Sequence, residues 1–344
     1  TMPTGYIAVS QDNMAGTDQF ISAFSWIKNR DATDNHMLFD RVRGATKDMH
    51  SNSTAAEVTN VNTVQRFLEA GVQIGNDVEV NTANESYVLW NFMAEATGSG
   101  TLNEVGTIDS TVLVDTTLGM SVGTYSGNST AGATIGHGLG VTPHMVIVKR
   151  TNTTGNWFTY HINLDPTAPE DKYVLLNTTG TVQDDITQWN DTAPTSSVIS
   201  LGNSVQMNAS GNTYMFVAFA PSQFISIGSY YANSNADGAF VPTLNSLGIP
   251  LMPIWSLIKG TVGSASGWGM FDAVRNPYNV TAQELRANDT AAETTSTDNM
   301  DLVSGGIKMR SSGGLNNDTG RDPYVYIAIG TPIIDVDGRI IAGR

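Results

Sequence analysis

The sequence predicts an all-β protein made of three tandem β-sandwich repeats of jelly-roll type. One observation is a group of turn-forming residues followed by an aromatic and β-branched strand, most clearly at 208–220. A second is that this arrangement occurs three times, with its strand beginning at Tyr87, Tyr214 and Tyr324. A third is that no stretch shows the length and period of a convincing helix. These observations favour sheets over helices throughout the chain.

The distance from an upstream lysine to each tyrosine indicates an internal triplication. Apolar strands end at Lys28, Lys149 and Lys259, which precede the three tyrosines by 59, 65 and 65 positions. Spacing kept this closely over three copies is typical of a repeat architecture. We therefore expect the three lysines to be structurally equivalent, and the three tyrosines likewise.

The first repeat contains four predicted strands and one ambiguous stretch. Residues 64–71 fit either a single helical turn or a strand, and the corresponding stretch 300–306 of the third repeat favours a strand followed by a turn. The alternation of apolar and polar residues at 72–80 predicts a half-buried strand. The predicted strands of this repeat are 5–9, 24–28, 36–40 and 72–80.

Short, closely spaced strands are also predicted in the second and third repeats. Each of these repeats opens with the pattern Gly-x-Tyr-x-x-Asn, at Gly123 and at Gly228. Strands at this spacing favour a sandwich over βαβ units. The predicted strands are 145–150, 157–161, 172–177, 198–202 and 214–220 in the second repeat, and 254–259, 267–274, 283–287, 306–310 and 324–329 in the third.

One strand of the second repeat is predicted to be buried on both faces. In the strand 214–220, Phe216 and Val217 point in opposite directions, and their neighbours on each face are also apolar. A half-buried strand would alternate with polar residues, so we expect this strand to be covered on both sides.

The repeats divide the chain into five segments. A stretch rich in Gly, Thr and Ser separates the first two repeats, and Asp337-Gly338 between apolar pairs predicts a terminal hairpin. The expected segments are repeat 1 at 1–96, a linker with one strand at 97–120, repeat 2 at 121–222, repeat 3 at 223–332 and a C-terminal tail at 333–344.

The composition argues against several classes of function. Among 344 residues, 17 are Lys or Arg and 32 are Asp or Glu, so the net charge of −15 makes nucleic acid a poor partner. The chain has no cysteine, which excludes disulfides, thiol catalysis and Cys-ligated zinc. No apolar run reaches the roughly 18 residues of a membrane-spanning helix. No signal peptide is visible at the N-terminus, so we expect neither a membrane nor a secretory route.

Metal sites have weak support in the sequence. The five histidines lack the i, i+4 spacing of a helical zinc site. The segment from Asp335 to Gly338 begins like a calcium loop but lacks the later glutamate, and its plain reading is a turn. A bound structural Ca²⁺ stays open as an alternative, and no other cofactor is predicted.

Aromatic residues near predicted loops are candidates for stacking on sugar rings, with filling of the sandwich ends as the alternative. No nucleophile elbow accompanies them, and no spacing singles out a pair of catalytic carboxylates. The sequence therefore predicts a protein that is not an enzyme. The candidate glycan-contacting residues are Trp157, Trp189, Tyr230, Tyr231 and Trp268.

Several phrases of the sequence resemble a repeat family found in virion proteins of marine bacteriophages, often described as tail-fibre-like or structural. The resemblance extends over nearly all of residues 20–330, and it implies a role on the virion surface without catalytic residues. The phrases are Trp-Ile-Lys-Asn-Arg-Asp at 26–31, the segment 36–44, Gly-His-Gly-Leu-Gly-Val-Thr-Pro-His at 136–144, Val-Lys-Arg at 148–150 and the segment 189–197.

These observations lead us to expect a non-enzymatic structural protein of the bacteriophage virion surface, made in the host cytoplasm. It would be a tail fibre or tip, or a capsid decoration, that assembles on the particle with other virion proteins. The alternative is a carbohydrate-binding adhesin that recognises glycans of the host cell envelope. We expect a homo-oligomer, with a trimer favoured. The apolar run 247–255 and the pair Tyr230-Tyr231 are apolar surface that another chain would bury. Packing between repeats is the competing explanation for its burial.

Overall fold

The computed structural model describes residues 6–8, 21–68, 71–94, 98–263 and 266–333, and over these ranges the chain is almost entirely β. The predicted all-β class is confirmed. In the described part of the chain the α-helices are α1 (Val78–Asn81) and α2 (Ile186–Trp189), and 3-10 helices occur at Pro169–Asp171 and Thr319–Arg321. The terminal hairpin predicted around Asp337 lies outside the described residues.

The first unit forms a six-stranded sheet and a two-stranded sheet. Its strands are β1 (Tyr6–Ala8), β2 (Ile21–Asn29), β3 (Met37–Asp40), β4 (Lys47–His50), β5 (Val58–Thr59), β6 (Val64–Leu68), β7 (Gly71–Ile74) and β8 (Tyr87–Ala94). The main sheet has the order β1-β8-β2-β3-β4-β5, and β6 pairs with β7. Within the ambiguous stretch at 64–71, residues 64–68 thus form a strand that pairs antiparallel with β7.

One predicted strand of this unit is wrong in its second half. Residues 72–80 were expected to form a single strand, but β7 ends at Ile74 and α1 begins at Val78. The side chain of Asp77 accepts a hydrogen bond of 2.9 Å from the backbone N–H of Glu79. In a continued strand this N–H would bond a neighbouring strand. Here the side chain of Asp77 accepts it as an N-cap, and a helical turn begins.

The second unit contains an eight-stranded sheet with the order β16-β15-β14-β13-β18-β11-β10-β9, and a separate pair β12-β17. Its strands are β9 (Thr101–Asn103), β10 (Ser110–Asp115), β11 (Met120–Ser126), β12 (Ala133–Gly136), β13 (Met145–Arg150), β14 (Trp157–His161), β15 (Lys172–Leu175), β16 (Gln183–Asp184), β17 (Val198–Leu201) and β18 (Thr213–Phe219). The stretch expected to be a linker with one strand supplies β9, β10 and the first residue of β11. It is therefore part of this sheet.

The third unit forms one eight-stranded sheet with the order β19-β26-β21-β22-β23-β24-β25-β20. Its strands are β19 (Ile225–Tyr230), β20 (Phe240–Pro242), β21 (Leu251–Gly260), β22 (Trp268–Asp272), β23 (Thr281–Arg286), β24 (Thr294–Val303), β25 (Gly306–Met309) and β26 (Tyr324–Pro332). As in the other two units, the strand that begins near the tyrosine lies beside the strand that contains the lysine.

The strand register is the same around the lysine and tyrosine of all three units. Each lysine is opposite the residue that follows the tyrosine, so the equivalence expected from the sequence spacing holds in the backbone pairing. The paired residues are Lys28 with Val88, Lys149 with Met215, and Lys259 with Val325.

The inner faces of the three main sheets meet in a single central core. Phe92 of the first unit lies 6.0 Å from Phe219 of the second and 5.9 Å from Trp255 of the third, measured between ring centroids. All three side chains are buried. Each main sheet is therefore covered on its inner face by the other two units. The packing is shared between the units and not confined to three independent sandwiches.

The outer face of each main sheet is covered by elements of its own unit. In the second unit, Phe216 packs in an outer cluster with Ile135 of β12 and Ile199 of β17. Its neighbour Val217 points the other way and lies in the central core. The expectation that strand 214–220 is buried on both faces is confirmed, and the cover on the two faces comes from different parts of the chain.

Phe216→Ala should lower the free energy of unfolding by about 3–5 kcal/mol, because it removes a fully buried aromatic ring and leaves a cavity. Chemical denaturation of the wild type and the variant measures the difference. Phe240→Ala is the matched control, since Phe240 is about half exposed and should change stability far less. Equal stability of Phe216→Ala and wild type would contradict the packing.

Candidate functional site

Backbone hydrogen bonds join the three units into a closed ring. Each of these bonds runs from the backbone N–H of one unit to a carbonyl two residues beyond the lysine of the next unit. The third bond runs from the third unit back to the first. The three units are therefore connected in a ring in which each unit bonds the next in the same way. The bonds are Glu57 N to Thr151 O at 2.7 Å, Val182 N to Thr261 O at 2.9 Å and Glu293 N to Arg30 O at 2.8 Å.

The tryptophans that follow the second and third lysines reinforce the same junctions. Trp157 Nε1 donates to the carbonyl of His50 at 2.9 Å, and Trp268 Nε1 donates to the carbonyl of Leu175 at 2.9 Å. The first unit has His36 at the corresponding position. Burial lowers the pKa of this ring well below its usual value, and the backbone of Arg286 opposes that shift. The two tryptophans therefore hold units together, while His36 Nδ1 accepts a hydrogen bond of 2.8 Å from Trp26 Nε1 of its own unit.

The three equivalent lysines are fully buried and hydrogen-bonded to carbonyl oxygens. Lys28 Nζ donates to Asn29 O at 2.6 Å, and Lys149 Nζ donates to Arg150 O at 2.7 Å. Lys259 Nζ donates to the carbonyl of Ser266 and, across the junction, to that of Thr179 at 3.2 Å.

Burial shifts the titration of these lysines toward neutral pH. Removal of the ammonium group from water lowers the pKa of Lys28 to about 8, and those of Lys149 and Lys259 to about 7. The lysines have no exposed surface, so a substrate cannot reach them. Their positions near the ends of interior strands indicate a structural role.

Lys149→Met should reduce the rise of stability with pH between about pH 7 and 9.5. Below about pH 7 the lysine is charged in the folded and unfolded states, and its burial penalty is fully present. At higher pH the folded protein releases this proton while the unfolded chain keeps it up to about pH 10.4. Stability therefore increases with pH, by at most about 1.4 kcal/mol per pH unit for one proton.

Denaturation midpoints across this pH range measure the slope for wild type and variant. Lys172→Met is the control. A hydrogen bond to Asp184 raises the pKa of Lys172, and this lysine therefore stays charged across the window. Its substitution should leave the slope of stability against pH unchanged. A Lys149→Met slope identical to that of the wild type would contradict the assignment.

A charged cluster closes the junction between the third and first units. Glu293 bonds Arg30 of the first unit at 2.7 Å and Arg275 of its own unit at 2.8 Å. Arg275 also pairs with Asp272 and lies over the ring of Trp90, 5.4 Å from its centroid. Every group has a partner of opposite charge, and Arg275, Asp272 and Glu293 are almost inaccessible to solvent. The cluster therefore serves the junction and not a ligand.

The repeated tyrosines are also structural. The hydroxyl of Tyr214 accepts from the backbone N–H of Ala209 at 2.8 Å and donates to the carbonyl of Val205 at 3.0 Å, which ties the preceding loop to the strand. The tyrosine of the Gly-x-Tyr-x-x-Asn pattern stacks on it. Ring centroids of Tyr125 and Tyr214 are 5.0 Å apart, and those of Tyr230 and the equivalent tyrosine of its own unit are 5.1 Å apart.

Four of the five predicted glycan-contacting aromatic residues are buried, so the prediction is wrong for them. The indoles of Trp157 and Trp268 cross unit junctions, Trp189 packs against Tyr160, and Tyr230 lies in the tyrosine stack. The structure does not bring the five residues together into one site. Only Tyr231 of this set is exposed, with 72% of its surface accessible.

Metal binding and membrane insertion have no support in the described residues. Over these ranges no group of three or more His, Asp or Glu side chains is arranged to hold a metal ion. The calcium-loop-like segment that begins at Asp335 falls outside them. None of the helices there is long and apolar enough to cross a membrane. A cavity of about 20 Å³ in the central core is lined by apolar side chains and is too small for a ligand.

A groove in the third unit is the strongest candidate for a ligand site. It has a volume of about 160 Å³ and lies between the loop after β22 and the turn between β24 and β25. Tyr278 stands at this groove with 81% of its surface exposed. The lining residues are Met252, Ala273, Asn276, Pro277, Tyr278, Asn279, Leu302, Val303 and Ser304.

Hydrogen bonds fix the loop that carries Tyr278. Asn276 Oδ1 accepts from the backbone N–H groups of Ala282 and Gln283, at 3.1 and 2.7 Å. Asn279 bonds both the N–H and the carbonyl of Leu302, each at 3.0 Å. The exposed ring is therefore presented on an anchored segment. Our sequence reasoning missed this site, although an aromatic residue between Pro277 and Asn279 in a turn was a usable signal.

The described residues form an all-β protein of three units around a shared core, with a groove in the third unit. A profile of the family described as a domain of unknown function (DUF7483) matches residues 4–331. The chain belongs to this family. No curated protein and no solved structure matches it.

Proposed function

We propose that the protein is a non-enzymatic structural component of a bacteriophage virion surface, as a tail fibre or tip, or as a capsid decoration. The observation that carries the proposal is the closed ring of three units. Buried tryptophans and lysines and the Glu293 cluster stabilise its junctions. A body closed in this way resists shear and dilution without disulfides, which the chain cannot form. The resemblance of several sequence phrases to virion repeat proteins points in the same direction.

The chemistry of the buried groups supports a passive role. Perturbed pKa values are typical of catalytic sites when the group lies in an accessible cleft. Here Lys149, Lys259 and His36 are inaccessible and are perturbed by burial. Their arrangement fits the stabilisation of junctions better than acid–base catalysis.

The location can be tested on purified particles of the phage that encodes the chain. We expect antibodies against the protein to label the particle surface in immunogold electron microscopy, and mass spectrometry to find the protein at many copies per particle. Particles without label and without its peptides, from lysates that contain the free protein, would overturn the proposal.

Self-association of the isolated protein, with a trimer favoured, stays a prediction. Part of the apolar surface expected to mediate it is buried within the chain. Trp255 lies in the central core, and Tyr230 lies in the tyrosine stack. Exposed apolar side chains remain in the third unit at Tyr231, Phe240 and Leu247. Light scattering at low micromolar concentration should give a mass above that of one chain, and Leu247→Ser should lower it. A monomer mass for the wild type would contradict the prediction.

A further inference from the structure

We infer that the groove beside Tyr278 is a binding site for one ring of a neutral sugar. This inference goes beyond the proposed virion role and does not depend on it. The alternative function was a carbohydrate-binding adhesin, for which the sequence suggested five aromatic residues. The groove is a different candidate site for that function.

The size of the groove limits the ligand to a small ring. Its volume of about 160 Å³ is more than ten times the roughly 10–15 Å³ of cavity that holds one water molecule. It is well below the about 300–1,000 Å³ of sites for drug-sized ligands and cofactors. A single six-membered ring with its substituents is the class of ligand that matches this space.

The charge of the groove selects a neutral ligand. No Asp, Glu, Lys, Arg or His is among its lining residues. The whole chain carries a net charge of −15, which repels anionic ligands at a distance. Phosphates, nucleotides and acidic polysaccharides would find no cation to pair with here.

The lining combines an aromatic face with free polar groups. Tyr278 presents a flat surface that can cover the C–H face of a sugar ring. Asn276 Nδ2 and Ser304 Oγ have no hydrogen bond to another described residue, so both can bond sugar hydroxyls. The groove thus offers apolar and hydrogen-bonding contacts together, as a sugar requires.

The anchored loop lowers the entropic cost of binding. The hydrogen bonds of Asn276 to β23 and of Asn279 to Leu302 hold the loop in one conformation before a ligand arrives. A loop backbone that is already positioned loses less freedom on binding.

Saturation-transfer NMR with a panel of neutral monosaccharides tests the inference on the full chain. The panel is glucose, galactose, mannose and N-acetylglucosamine, each at about 10 mM, because a one-ring site should have a Kd near the millimolar range. We expect transfer to at least one sugar, with a Kd at least about tenfold weaker for Tyr278→Ala. Tyr278→Phe should bind nearly as well as the wild type, because it keeps the ring face.

Tyr231→Ala is the matched control, since 72% of the surface of Tyr231 is exposed, against 81% for Tyr278, and Tyr231 does not line the groove. It should leave sugar binding unchanged, and thermal melts should show that all variants are folded. The inference is overturned if the wild type shows no transfer to any sugar of the panel, or if folded Tyr278→Ala binds as the wild type does. Absence of the protein from virions would leave this result untouched, so the two proposals fail separately.

Discussion

The fold depends on one constraint, which is that no main sheet can bury its inner face alone. Phe92, Phe219 and Trp255 come from three different units and meet in one apolar core. Burial of such surface is the dominant favourable term in folding. A unit on its own would leave a wide apolar face exposed to water, which monomeric proteins avoid. The ring of three units is therefore a condition for the stability of each.

The polar groups at the junctions make this packing specific. An apolar core tolerates sliding and rotation, whereas hydrogen bonds have defined distances and angles. The bond from Glu293 N to Arg30 O closes the ring, and the Glu293 side chain pairs with arginines from both units. Burial of these charges costs desolvation energy that their pairing offsets only in part. Their contribution lies in fixing how the units meet.

Local pattern was sufficient for the equivalence of the repeated residues and insufficient for the packing of units. The repeated spacing predicted that Lys149 and Tyr214 have counterparts in the other units, and the shared strand register agrees with this. The two-sided burial of strand 214–220 was also predictable, but an apolar face does not show which element covers it. Trp157 and Trp268 illustrate the limit. Each lies close to polar turn residues and was a candidate for stacking on a sugar ring, while its indole reaches a carbonyl of another unit.

The same reasoning explains why the candidate site lies where the units differ. Positions equivalent in all three units include side chains that hold the ring together, such as Lys259 and Trp268. The loop of residues 273–280 connects equivalent strands but carries an exposed Tyr278 and a groove found in the third unit. Function resides in sites placed on a fold and not in the fold itself. Arg275 of this loop belongs to the junction cluster, whereas the segment 276–280 takes no part in the junction contacts described above. That segment can change its residues without loosening the core, so a binding surface can arise there.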